Sequence, residues 1–411
     1  MNTKYANAVN WLFEQFPAYQ NIGADAYKPG LERIEQLCAH FALQPDELPF
    51  IHVAGSNGKG SVCSMIAAGL TQSGKKVGLF TSPHIQDFSE RIRIDGKPIS
   101  EDFVIHFVND FQKEEQLRGY SFFEITFAMA LCYFKQEQCD YCVIETGLGG
   151  RLDATNVIKP ALSVITNISL EHTQFLGNTI EQIAGEKAGI IKENTPVLIS
   201  ESTPETAKVF TDKATSLNAP LYWSDNVEIL PRADFPLLGD YQKRNYQTAV
   251  YAIQILLQSD FQKETVDDGI ANLYELTGFY GRLFQHPSLP NVILDVSHNA
   301  DGIKKTMDFI KENYNPENLY ILYGTSADKD LKEIIPVFAP YPNFVFTEFA
   351  HARSASFEHI IDYIDQLDEN FTFFDDAPTA LNMLQTSTNE EDTILVIGSF
   401  FLIANIFENF L

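Results

Sequence analysis

Short apolar runs alternate with amphipathic stretches along the whole chain. PFIHVAG (49–55) reads as a strand that leads into a glycine-rich turn. A helical pattern follows from Ser61 to Gln72, then Gly74 and a second strand, KVGLFTS (76–82). YCVIETG (141–147) and ALSVITNI (161–168) are further apolar strands that end in polar residues. Strands alternating with helices predict a parallel sheet covered on both faces. Such sheets bind ligands at the carboxyl ends of their strands. Two prolines in QHPSLPN (285–291) interrupt the pattern, and the rhythm then restarts. NVILDV (291–296), NLYILYG (318–324), NFVFTEF (343–349) and TILVIGSF (393–400) read as strands with helical segments between them. The expected fold class is therefore α/β in two domains. Residues 1–284 carry a mostly parallel sheet with helices on both faces, and residues 285–411 a smaller Rossmann-like α/β domain. Residues 200–240 read as an irregular, proline-containing excursion.

Composition narrows the possible functions. The 411 residues are 45% hydrophobic and 20% charged, which is ordinary for a globular chain. Lys and Arg total 29 against 55 Asp and Glu, a formal net charge of −26. Such a balance argues against nucleic-acid binding. An anionic substrate would have to be held by local devices: metal ions, helix N-termini and a few fixed cations. The first residues, MNTKYANAVNWLFEQF, lack a basic stretch followed by an apolar one, so no signal peptide is expected. No apolar run reaches the ~18 residues of a membrane span. The five cysteines sit mostly among apolar neighbours, and Cys139 and Cys142 read as buried thiols beside a strand. A reduced, cytoplasmic protein is expected, acting as a monomer on small molecules, with no membrane or nucleic-acid partner.

Four segments carry candidate chemistry, each at a strand end. In VAGSNGKGS (53–61) a strand, a glycine-rich loop and a helix follow in order. Backbone amides of such a loop cradle phosphate oxygens, and Lys59 can reach the outer ones. The strict phosphate-loop pattern is not met, because Val53 takes the first glycine position and Gly60 follows the lysine. LFTSPHIQDFSERIRIDG (79–96) offers Ser82 and His84, although Ser-Pro is also ordinary turn chemistry. In CVIETGLGGRLDATN (142–156) a strand delivers Glu145 to its carboxyl end, where a carboxylate commonly holds Mg²⁺. In SVITNISLEHTQFLGNTIEQIAGEKAGIIKEN (163–194) His172 follows a strand, and Thr179 with Gln182 predicts a capping box. Ile180, Ile183, Ala184, Lys187 and Ile191 then share one helical face, leaving Lys187 on an apolar stripe. Such a lysine either snorkels to water or is desolvated into a neutral, modifiable amine.

Together these segments resemble the folylpolyglutamate synthase/dihydrofolate synthase family of the Mur-ligase superfamily. The resemblance spans nearly the whole chain. It is carried by PGLERI (29–34), GSNGKGS (55–61), TSPH (81–84), ERIRI (90–94), FFEIT (122–126), ETGLGGRLDATN (145–156), EHT (171–173) and EKAGIIK (186–192). It continues through GRL (281–283), LDVSHN (294–299), DKD (328–330) and GSF (398–400). It implies an N-terminal phosphate-loop ATPase domain of Mur-ligase type and a C-terminal glutamate-ligase domain. It implies ATP as co-substrate, two Mg²⁺ ions, and L-glutamate, dihydropteroate and folates as the other small-molecule partners. Ser56, Asn57, Gly58, Lys59, Gly60 and Ser61 would line the ATP phosphates. Asn245, Arg282, Asp295 and His298 match further ATP-contacting positions. Ser82 and Glu145 would hold a first Mg²⁺. His172 and a carbamylated Lys187 would hold a second, making Lys59, His172 and Lys187 the implied catalytic set. The pterin pocket would draw on Lys28, Pro29 and Gly30, on Ser121, Phe122, Phe123 and Glu124, and on Leu152, Asp153 and Ala154.

The chain departs from the family pattern at a few places. Ser56 replaces a threonine, Glu171 an aspartate and Tyr241 a histidine. GFYGRLF (278–284) lacks the proline before Gly-Arg, and Lys28 stands where an acidic residue is common. The implied reaction joins the amine of glutamate to a pteroate or folate carboxylate through an acyl phosphate. Alternatives are polyglutamylation of folates alone, a ligase for UDP-linked cell-wall precursors, or a regulatory ATPase. A phosphate loop as early as residue 55 leaves no preceding UDP-binding domain of ~100 residues, against the cell-wall reading.

Overall fold

The computed structural model describes residues 2–16, 28–113, 119–364, 372–389 and 391–410. The chain divides into two compact units, Met1–Pro236 with Gln242–Phe279, and Leu237–Tyr241 with Tyr280–Leu411. No helix among the described residues is long and apolar enough to cross a membrane.

The first unit is built on an eight-stranded sheet. Its strands are β1 (Phe50–Ala54), β2 (Val77–Phe80), β3 (Ile92–Ile94), β4 (Lys97–Pro98), β5 (Tyr141–Glu145), β6 (Pro160–Ile165), β7 (Val197–Ile199) and β8 (Leu221–Trp223). They lie in the order β4-β3-β2-β5-β1-β6-β7-β8. From β2 to β8 every pairing is parallel, and β3 and β4 add an antiparallel edge. β1 is fully buried along its length, which explains its unbroken apolar character around His52. On one side of the sheet Phe50, Phe80 and Ile144 pack with Phe127 and Phe134 of helix Phe122–Gln136 and with Tyr5 and Leu12 of helix Thr3–Gln15. A second cluster joins Ala54, Ile165 and Ile199 to Ala184, Ala188 and Phe210.

The expectation for residues 200–240 is corrected in part. They contain helix Pro204–Ser216 and the parallel strand β8. Pro204 does not break this helix; it occupies the first turn, where its missing N–H is not needed, behind the cap residue Thr203. The helix predicted through Ile191 also ends earlier. Helix Ile180–Lys187 begins at the Thr179–Gln182 capping box and passes into a 3₁₀ turn, Ala188–Ile190. Ile191 is buried but extended.

The second unit holds six strands, β9 (Phe284–Gln285), β10 (Val292–Asp295), β11 (Leu319–Tyr323), β12 (Asn343–Thr347), β13 (Thr372–Phe374) and β14 (Thr393–Ile397). Their order is β13-β12-β11-β14-β10-β9, all parallel except the β9–β10 pairing. Residues 285–291, where the sequence places the domain boundary, connect β9 to β10 inside this unit. Its core gathers Ile293, Ile321, Tyr323, Phe346 and Leu395 with Ile303, Met307 and Phe338 from the covering helices.

Candidate active site

Four neighbouring parallel strands, β2, β5, β1 and β6, end at one edge of the first sheet. Their carboxyl-terminal loops carry all four segments singled out in the sequence. This edge is where the strand order reverses, since β1 leads to β2 on one side and β5 to β6 across it.

The loop after β1 is fastened to the loop after β6. The amides of Ser56 and Asn57 donate to the main-chain and side-chain oxygens of Asn167, at 2.8 and 2.7 Å. The Thr166 hydroxyl donates to Asn57 O at 2.6 Å, and Ser169 N donates to Ser56 Oγ at 3.0 Å. Helix Lys59–Gln72 then starts from Gly58, whose φ of +84° is the left-handed region that suits glycine. A Cβ on Gly58 would also meet Asn245 Oδ1 at 2.6 Å, so Asn245 lies directly against the loop. Lys59 Nζ folds back to donate to Gly55 O and Ser56 O, at 2.9 and 3.2 Å. The first amides of a helix lack intrahelical acceptors, so Lys59, Gly60 and Ser61 place N–H groups and a cation at one spot.

Glu145 ends β5 and is buried. Its Oε2 accepts from the amide of Ser82 at 3.0 Å. The carboxylate also lies beside the helix start, because a Cβ on Gly60 would stand 3.8 Å from Oε1. Ser82 and Glu145 thus meet through the Ser82 main-chain amide. His84 is committed elsewhere: its Nδ1 accepts from Nε of the buried Arg91 at 2.7 Å. Burial, then the Arg91 charge, push this imidazole well below its ordinary range, so it is neutral. Burial lowers Arg91 to about 10 against the pull of Glu90 and Glu145, and its guanidinium lies 5.2 Å from the Phe122 ring centroid.

The loop after β6 brings Glu171 and His172 toward Lys187. Lys187 Nζ lies 2.8 Å from Glu171 Oε1, and the lysine side chain is 1% exposed. Burial pulls Lys187 below its ordinary value, opposed by Glu171. Burial would raise Glu171, but Lys187, Lys59 and His172 outweigh it and hold the carboxyl at about 2. His172 has a left-handed backbone (φ 46°) at the start of the short turn Thr173–Leu176. Lys187 does not snorkel to water: it is buried, and it is paired with Glu171. Its helix end is pressed onto the loop after β5. A Cβ on Gly189 would come within 2.4 Å of Arg151 Cα, and one on Gly150 within 2.8 Å of Glu186 O. Arg151 N donates to Glu186 O at 2.8 Å, and the two side chains pair at 2.8 Å.

The candidate pterin residues fall into three groups. Asp153 is buried; Oδ1 accepts from Thr155 N at 3.0 Å and Thr155 Oγ1 at 2.5 Å, and Oδ2 accepts from Leu148 N at 2.8 Å. Leu152 and the buried Ala154 flank it. Ser121 and Glu124 form the capping box of helix Phe122–Gln136, and Glu124 Oε1 also accepts from Arg33 Nε at 2.8 Å. Phe122 is buried and stacks on Phe13 at 4.5 Å, while Phe123 faces Gly147. Lys28 Nζ donates to Gly119 O at 2.9 Å, beside the exposed Pro29 and the half-buried Gly30. The contacts of Asp153, Ser121, Glu124 and Phe122 hold the fold around the site.

In the second unit Asp295 ends β10, fully buried, and accepts from Leu283 N and Ser297 N, each at 2.8 Å. Arg282 stands 5.4 Å over the Phe400 ring, and His298 packs edge-on to that ring at 5.7 Å. Asp295 therefore fixes the backbone that presents Arg282 and His298. Tyr241, the departure from histidine, packs against this unit's core.

Two family models match the chain. The Mur ligase middle domain matches residues 53–223, and the Mur ligase, glutamate ligase domain matches residues 281–400. A dihydrofolate synthase/folylpolyglutamate synthase from Bacillus subtilis (strain 168) is 30% identical over 435 residues, covering 99% of each chain. The chain belongs to the dihydrofolate synthase/folylpolyglutamate synthase family. Mur ligases are ATP-dependent amide ligases, so this chain is an enzyme of that class. Two solved family structures share its fold. Escherichia coli FolC in complex with DHPP and ADP superposes with a TM-score of 0.81 at 28% identity, covering 98% of this chain and 97% of that one. Mycobacterium tuberculosis folylpolyglutamate synthase complexed with ADP and AMPPCP gives 0.85 at 26% identity, covering 99% of each.

Sequence reading missed several residues of this family member's site. Asn167 holds two loop amides, and its only sequence signal is a polar residue at a strand end. Glu171 enters the sequence reading as a mild departure, yet it pairs with Lys187. Arg91 lies in a quoted motif but has no assigned role there, although it occupies His84.

Proposed function

We propose that this chain joins L-glutamate, through its amine, both to dihydropteroate and to tetrahydrofolate polyglutamates, with ATP activating the acceptor carboxylate. The observation that carries this reading is the convergence of the Lys59 loop, the Ser82–Glu145 contact and the Glu171–Lys187 pair on one sheet edge. The acceptor carboxylate attacks the γ-phosphorus of ATP and ADP leaves, giving an acyl phosphate. The glutamate amine then attacks the acyl carbon, phosphate leaves, and the nitrogen loses a proton. Phosphoryl transfer needs positioning and charge neutralisation more than covalent help. The Gly58–Ser61 amides and Lys59 supply both at the helix start.

Ser82 and Glu145 offer hard oxygen donors, which fit Mg²⁺. No group of three His, Cys, Asp or Glu side chains suited to a metal occurs among the described residues. Bound by Ser82 and Glu145, Mg²⁺ would offset the phosphate charge. His172 and Lys187 would serve a second ion once the Lys187 amine has added CO₂ and lost a proton to become a carbamate. Burial favours that step by disfavouring the ammonium form. Asn245 would contact the nucleotide beside Gly58; Arg282, Asp295 and His298 match nucleotide-contacting positions of the family. Leu152, Asp153, Ala154, Phe123 and the Lys28–Gly30 segment would form the pterin pocket. The protein is read as a cytoplasmic monomer, in keeping with its five free cysteines.

ADP release with Mg²⁺, ATP and L-glutamate tests the proposal, with dihydropteroate in one arm and tetrahydrofolate in the other. Turnover in both arms is expected. Turnover with tetrahydrofolate alone would restrict the enzyme to polyglutamylation. ADP release without an acceptor would favour a regulatory ATPase.

A further inference from the structure

His52 has no part in the chemistry above, yet it sits at the centre of the sheet on β1, fully buried. Its Nε2 lies 2.8 Å from Thr155 Oγ1, and Thr155 Oγ1 lies 2.5 Å from Asp153 Oδ1. Burial raises the Asp153 carboxyl against these hydrogen bonds, but both of its oxygens already accept from main-chain amides, Oδ1 from Thr155 and Oδ2 from Leu148, so the group stands as an acceptor. A threonine hydroxyl has one proton, and here it must go to the carboxylate. His52 Nε2 must therefore carry a hydrogen and donate to Thr155. That leaves Nδ1 as a bare acceptor, and Nδ1 is a buried atom without a hydrogen-bond partner. The Thr155 proton argument sets this tautomer, and the unpartnered Nδ1 is compatible with it. Burial and then Lys192 bring His52 down to about 3, so it is neutral.

An apolar residue would fill this strand position without leaving a buried acceptor unpaired. We propose that His52 is a positioning residue for the acceptor substrate: through Thr155 it locks Asp153, and with it the 147–156 loop, into the pterin-binding arrangement. This rests on the reading of Asp153 as part of the pterin pocket. His52 touches no substrate and acts only through the hydrogen-bonded line His52–Thr155–Asp153. It sets how well the acceptor binds and leaves the phosphate loop alone.

The test compares the full-length wild type with His52→Leu, which cannot donate, and His52→Gln, whose side-chain amide can. His52→Leu should raise KM for dihydropteroate about tenfold, with kcat and the KM for ATP unchanged. His52→Gln should recover most of that loss. Nitrogen-15 NMR of labelled histidine should show a protonated Nε2 and a bare Nδ1 in the wild type. Equal KM changes in both variants, a parallel rise in the KM for ATP, or a protonated Nδ1 would overturn the proposal. If His52→Leu does not fold, His52→Gln and the tautomer still decide it. A wild type that uses neither dihydropteroate nor tetrahydrofolate would instead overturn the functional reading, while the tautomer measurement still tests the relay.

Discussion

Lys187 and Glu171 form a 2.8 Å ion pair in which the lysine is almost wholly removed from solvent. Burial pulls the ammonium toward its neutral form while Glu171 holds it charged. The site is therefore balanced between an ion pair and a modifiable amine. Carbamylation would place a negative charge on Lys187 next to Glu171, so a bound cation must favour it. Enzyme in ¹³C-bicarbonate with Mg²⁺ and nucleotide should show a carbamate resonance that is absent in Lys187→Arg. The same variant should lose roughly 10²-fold or more in kcat. Full activity in Lys187→Arg would remove the carbamate from the mechanism.

Lys59 is held by the carbonyls of Gly55 and Ser56 rather than extended. Phosphate oxygens arriving at the helix start would compete for the same ammonium. Lys59→Ala should lower kcat by about 10²–10³-fold while shifting the thermal midpoint little, because the two lost hydrogen bonds of this half-buried side chain are worth about 1 kcal/mol each. Steady-state kinetics beside a melting curve would check the separation. A fall in stability that accounts for the lost activity would make Lys59 a loop brace only.

The sequence pattern exposes what the sheets bury deeply. β1, β2, β5, β6, β10, β11, β12 and β14 are runs of four to six residues in sheet interiors, and continuous apolar runs announce them. β3, β4, β7, β8, β9 and β13 have only two or three residues, too few for any period to show. The site is legible for a related reason. A glycine-rich loop and a carboxylate at a strand end are local signals. Asn167 and Glu171 matter through partners more than 100 residues and 16 residues away, which no local pattern encodes. Glu124 shows the opposite limit, since a motif position can serve a helix cap and an ion pair at once.

Gly189 makes a sharp packing prediction. Its backbone lies so close to Arg151 that a Cβ would stand 2.4 Å from Arg151 Cα. Backbone cannot yield as a flexible side chain can. Gly189→Ala should destabilise the first unit by about 1–3 kcal/mol and move the Lys187 helix end from the Arg151 loop. Urea unfolding gives the first effect, and loss of the carbamate resonance the second. By contrast, Gly185 has open space around its Cβ position, so Gly185→Ala should be tolerated.

His52 gives the stability a defined pH dependence. Its folded pKa is about 3, against an ordinary histidine value of 6.5. Between those values the unfolded chain binds a proton that the folded chain does not. Unfolding is therefore favoured as pH falls, and stability rises with pH across that window. The contribution of this one residue is about 1.4 kcal/mol per pH unit, absent above pH ~6.5 and saturating near pH ~3. Glu171 acts in the same direction but later. Its depressed pKa contributes stability above the ordinary carboxylate value, lost only as pH falls toward about 2. His84, also held neutral by burial and Arg91, adds to the histidine window. His52→Gln should thus flatten the urea midpoint between about pH 6 and pH 5 by about one proton's worth, leaving the steeper loss below pH ~4 in place. An unchanged slope would mean that His52 is protonated in the folded protein, and the tautomer that links it to Thr155 and Asp153 would be excluded with it.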